Sequence, residues 1–217
     1  MSSRGILVEE KQAMSLSLQH INVKLLLDHP EGLDLDAVVN VFHSWIQDQV
    51  CDELLLDVAD YRHVHHGPCV VLIGHEADYS IDNTHGRLGI RYNQKAPVDG
   101  SNWNRLRQAT RSALTAASRL QQDTRLNGKC NFTGEDLEIV INDRALAPNS
   151  PEARAGLEAE LRSFVDSLFG EVRYTLNYET DPRRLFAVRV KADRPVAPSI
   201  LLRNIGYYPE RSSHGII

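Results

Sequence analysis

Apolar positions along this chain change period in a recurring order. Ile21, Val23, Leu25 and Leu27 alternate with polar positions, the period of a half-buried strand. Asp28-His29-Pro30-Glu31-Gly32 breaks that strand. Asp34 then stands as an N-cap, and Leu35, Val38, Val39, Phe42, Trp45 and Ile46 return at helical spacing. Residues 53–61 and 68–73 read as a hairpin turned at His63 to Gly67. The same succession of strand, helix, strand, strand returns later. Leu137, Ile139 and Ile141 alternate. Ser150 and Pro151 open a helix carrying Leu157, Leu161, Phe164, Val165 and Leu168, and Gly170 closes it. Residues 171–179 and 185–192 make a second closing hairpin. Residues 53–75 align with 171–193 without a gap, and Val70 and Leu72 fall on Val188 and Val190. The pattern predicts two pseudo-repeats, 21–74 and 137–192.

An extra hairpin and a helix link them. In residues 77–82 and 87–93, Ala77, Tyr79, Ile81, Leu88, Ile90 and Tyr92 share one face, and Asp78, Ser80, Asp82, Arg87 and Arg91 share the other. A four-residue loop over Asn83-Thr84-His85-Gly86 sets Asp82 opposite Arg87 and Asp78 opposite Arg91. Residues 101–124 form a helix with Trp103, Leu106, Ala113, Leu114, Ala117 and Leu120 on its inner side and a basic outer side.

The expected fold class is α+β, with duplicated strand-helix-strand-strand units forming a mixed or antiparallel sheet and helices packed on one face. Residues 1–16 read as a flexible arm and 17–193 as a single domain. Residues 194–217 read as a tail. Ile200, Leu201, Leu202, Ile205, Tyr207 and Tyr208 make it too apolar for a free linker, so it docks on the domain or on a partner. The element order resembles the duplicated modules of effector-binding domains in transcription regulators and of SOUL-type haem-binding proteins. That resemblance is one of topology and carries no function.

Composition narrows the partners. A chain of 217 residues with 42% hydrophobic positions can bury a substantial core. A net charge of -5 and an aromatic content of 6% argue against a nucleic-acid partner. No apolar run is long enough for a membrane span, and residues 1–14 lack the apolar stretch of a secretory leader. Cys51, Cys69 and Cys130 form no Cys-x-x-Cys pair, which suits reduced thiols and a cytoplasmic location.

Several residues have ligand chemistry. His63 and His65 lie in one turn, and His75 and Glu76 follow Gly74; imidazoles and carboxylates are the common ligands of zinc and iron. About seven strand residues separate the turn histidines from His75, a span on the order of 20 Å. Chain folding alone therefore does not unite them, although a second subunit could. His75 and Glu76 have no evident structural task and are the catalytic candidates. Asp57 and Asp60, with His75 and Glu76, are the ligand-binding candidates. No motif assigns a cofactor. The reading is a cytosolic binding protein that holds a small molecule or protein partner at the seam between the repeats or at a homodimer interface. The alternatives are a metal-dependent enzyme using His75 and Glu76 with a further histidine, or a structural subunit of a larger assembly.

Overall fold

The computed structural model describes residues 16–206. All but the last residue of the proposed 1–16 arm lies outside the described residues, as do Tyr207 and Tyr208. The elements are β1 (Ile21–Leu26), α1 (Leu35–Asp48), β2 (Leu55–Asp60), β3 (Pro68–Gly74), β4 (Ala77–Asp82), β5 (Gly89–Gln94), α2 (Asn102–Gln122), β6 (Asp136–Ile141), α3 (Pro151–Phe169), β7 (Tyr174–Tyr178), β8 (Phe186–Ala192) and α4 (Pro198–Asn204).

Local chemistry sets the helix ends. The Asp34 carboxylate accepts from the Asp36 and Ala37 N–H groups at the start of α1. Ser101 accepts from Asn104 at the start of α2, and Ser150 from Ala153 at the start of α3, where Pro151 occupies the first turn. Each cap satisfies a backbone donor that the helix leaves free. Gly170 ends α3 at φ 61, a conformation glycine adopts without steric cost.

The fold is α+β. Its eight strands form one sheet in the order β2-β3-β4-β5-β1-β6-β8-β7, and every neighbouring pair is antiparallel. The sequence left mixed and antiparallel pairing open; the pairing is wholly antiparallel. The β4–β5 hairpin does not stand outside the sheet as a linker. It inserts between β1 and β3, whereas β6 pairs directly with β8. The two segments read as repeats therefore have different strand neighbours.

Alternation divides the sheet. Val23, Leu72, Tyr79, Ile90, Ile139 and Val188 are buried in one continuous core with Phe42 of α1, Leu106 and Ala113 of α2 and Phe164 of α3. α1 lies against β2 and β3, and α2 against β1 and β5. The buried alanines of α2, among them Ala109, Ala116 and Ala117, let its backbone approach closely. α4, which the sequence reading did not resolve as a helix, rests on α2 and α3. No helix among the described residues is long and apolar enough to cross a membrane.

The β4–β5 register corrects the expected charge pairs. Asp78 lies opposite Asn93, Ser80 opposite Arg91 and Asp82 opposite Gly89. The faces are as read, but the pairing is displaced by two residues. The cause is the connection: Asn83 to Leu88 carries a short 3-10 turn at Thr84–Gly86, so Arg87 precedes the strand. Asp78 pairs with Lys95 at 2.7 Å instead, and Arg87 turns to Glu138, also at 2.7 Å.

Packing of α4 gives a direct test. Leu201 is 0% exposed and Ile200 is 39% exposed. Leu201→Ala should cost about 2–5 kcal/mol in chemical denaturation, and Ile200→Ala under about 1 kcal/mol. Equal effects would contradict this placement of the helix.

Candidate functional site

The sheet face away from the core is polar along one cross-strand row. Ser80, Arg91, Lys24, Glu138, Arg189 and Asn177 follow one another in register from β4 to β7. Neighbouring side chains in such a row stand close enough to interact, so charges collect at the centre of the sheet. Lys24 lies between Arg91 and Glu138, yet its Nζ donates to Asp82 Oδ1 at 2.6 Å. Lys24 is 3% exposed and Asp82 is 1% exposed. Gly89 lies opposite both Leu26 and Asp82, where a Cβ would sit 2.1 Å from the Leu25 carbonyl oxygen.

Burial opposes ionisation of Asp82, but Lys24 and Arg91 outweigh it and hold the carboxyl below its ordinary value. Burial draws the Lys24 pKa down, and Asp82 offsets that only in part. Asp82 also accepts from the Thr84 N–H at 3.1 Å and the Thr84 hydroxyl at 2.9 Å. The ion pair thereby fixes the start of the β4–β5 turn.

That turn forms one wall of a groove of about 650 Å³. Six arginines line it: Arg87, Arg91, Arg144, Arg183, Arg184 and Arg189. Arg87, Arg91 and Arg189 come from β5, its approach and β8. Arg144 follows β6, and Arg183 and Arg184 lie in the β7–β8 turn. Glu138 orients Arg87, and Asp136 holds Arg189 through two donors. Those bonds raise the Arg189 pKa. Backbone N–H groups of Asp181 and Thr180 hold the Glu179 carboxyl below its ordinary value, and the Arg183 side chain, with its N–H, does the same for Asp181; both carboxylates shape the opposite turn. Arg184 reaches the His85 ring at 3.3 Å, so the two turns meet at the mouth. Arg144 donates to the Arg183 carbonyl. Val140 and Ala187 give the floor a small apolar area.

The residues singled out in the sequence lie elsewhere. His75 and Glu76 are exposed in the β3–β4 turn, where their backbones bond to Leu54, Lys95 and Ala96. His63 and His65 are exposed in the β2–β3 turn. Among the described residues no group of three or more His, Cys, Asp or Glu side chains could hold a metal ion, so these four are not brought together. Asp57 and Asp60 are exposed; Arg62 holds the Asp60 carboxyl down at about 2 through its hydrogen bonds. Burial pushes the Cys51 and Cys130 thiols up to about 12, so neither is an activated nucleophile.

No family model matches this chain, and no curated protein matches it. The groove escaped sequence reading because its arginines come from separated segments. The available signal was a charge at the outward position of each alternating strand, as in Gly89-Ile90-Arg91 and Val188-Arg189-Val190, together with the Arg183-Arg184 turn.

Removing one partner of the buried pair should be severe. Asp82→Asn leaves Lys24 buried without its counter-charge and should cost about 3–5 kcal/mol. The Asp82 carboxyl is depressed in the folded state, so its contribution is present above the unfolded value near 3.9. It is lost as pH falls through the folded pKa. Urea midpoints measured from pH 6 downward should therefore fall less steeply in Asp82→Asn. Parallel acid limbs would contradict the assignment.

Proposed function

We propose that this is a binding protein that takes a negatively charged ligand in the arginine-lined groove, on the sheet face beside the β1–β6 junction. The observation that carries the reading is the convergence of six arginines in one groove of a chain with net charge -5. Guanidinium groups keep their charge at all ordinary pH values and match anionic oxygens with parallel N–H donors. The carboxylates beside them hold their direction before a ligand arrives, which limits the ordering cost of binding. Volume supports the same reading, since small-molecule sites commonly span about 300–1,000 Å³.

The junction is also the seam between the segments 21–74 and 137–192. Ile21 pairs with Ile141, Val23 with Ile139 and Leu25 with Leu137. The free cysteines support a cytoplasmic, reducing setting. Among the described residues, the metal-dependent reading through His75 and Glu76 has no converging third ligand in its favour. A homodimer or larger assembly is supported by one observation: Leu54, Leu56, Tyr61 and Val64 are exposed along the free β2 edge.

Calorimetric titration with pyrophosphate and with citrate tests anion binding. At low salt at least one should bind saturably, and binding should weaken as salt is raised to 0.5 M. The double variant Arg144→Ala/Arg184→Ala should lose about tenfold or more, while Arg107→Ala on α2 should change little. Absence of binding by both anions, or equal loss in Arg107→Ala, would refute the reading.

A further inference from the structure

We infer that the ligand of this groove is a phosphate ester of a small hydroxylated compound; this rests on the anion-binding reading above. Three features of the groove define the class. The first is the geometry of its cations. Glu138 and Asp136 already occupy one side of Arg87 and Arg189 in carboxylate fashion. Arg183 and Arg184 each pair with one turn carboxylate and remain well exposed. Among the described residues Arg144 donates to one backbone carbonyl. Donors left over on several converging guanidiniums suit a group with three terminal oxygens and a double charge. A lone carboxylate offers two oxygens and one charge.

The second feature is the room left over. A volume of about 650 Å³ exceeds what a bare phosphate fills, so the ligand has a body. Asn177 and Glu179 stand at the groove as hydrogen-bonding groups, over the small apolar floor of Val140 and Ala187. Amide and carboxylate groups of this kind recognise hydroxyls.

The third feature argues against a nucleotide. Base recognition leans on open aromatic faces, with arginine as a lesser contributor. Among the described residues Tyr178 is the one tyrosine, phenylalanine or tryptophan lining the groove. Its ring is already covered by Arg154 at 5.1 Å and packed edge-on against Phe186 at 6.0 Å. An acidic peptide fits less well too, because Glu138, Glu179 and Asp181 would face its carboxylates along the groove and the turn beside it.

The test is a calorimetric panel on the full chain. It comprises pentose and hexose monophosphates, the same sugars unphosphorylated, inorganic phosphate, citrate, adenosine monophosphate and heptaglutamate. At least one sugar monophosphate should bind about tenfold tighter than inorganic phosphate, and the free sugars should not bind. Arg144→Ala should weaken the phosphate ester and inorganic phosphate alike. Asn177→Ala, at an exposed position, should weaken the ester and leave inorganic phosphate unchanged. Tighter binding of citrate, heptaglutamate or the nucleotide would overturn this inference and leave the anion-binding reading standing. Silence across the whole panel would overturn both.

Discussion

The ion pair between Lys24 and Asp82 is the constraint on which the polar face depends. Two charges removed from water are tolerated only where geometry and further hydrogen bonds satisfy them. Here Asp82 accepts from Lys24 and twice from Thr84, and Arg91 stands 3.6 Å from its other oxygen. The pair spans β1 and β4 with β5 between them. It thereby ties the strand at the centre of the sheet to the turn that walls the groove. A one-residue slip of β4 would send Asp82 to the apolar face and leave Lys24 uncompensated. The pair thus acts on register as well as on stability.

Around this centre the cations are arranged by carboxylates. Arg87 leans on Glu138, Arg189 on Asp136 and Arg184 on Glu179. Each pair is partly exposed and adds little to stability by itself. Its effect is directional, since a guanidinium held by one edge presents its remaining donors in a fixed orientation. Acidic residues in a groove intended for an anion are consistent on this view. They limit the net positive charge, and a ligand must match the geometry to compete for the arginines. The opposite face needs no such arrangement, because Val23, Ile139 and their neighbours are buried against the helices.

Much of this fold was legible in the chain. Strand alternation, the caps at Asp34 and Ser150, and the stop at Gly170 depend on neighbours close in sequence, and they lie where their patterns indicate. The β4–β5 register was misread by two residues because the 3-10 turn at Thr84–Gly86 lengthens the connection. Insertion of that hairpin between β1 and β3 depends on pairings distant in sequence, which no local pattern encodes. The groove was hidden for the same reason. Arg144 and Arg184 are forty positions apart and meet only through strand order. His75 and Glu76 attracted notice by residue type and proximity, but exposure in a turn gives them no convergent partner.

The most direct measurement is a backbone amide NMR titration of the full chain with a saturating phosphate ester, read residue by residue. The account predicts saturable shifts concentrated at Arg91, Glu138, Val140, Ala187 and Arg189, and at the Thr84–Arg87 and Arg183–Arg184 turns. The His75–Glu76 turn and α2 should remain still. Shifts centred on His75 and Glu76 or on α2, or no saturable shift anywhere on the sheet face, would contradict it.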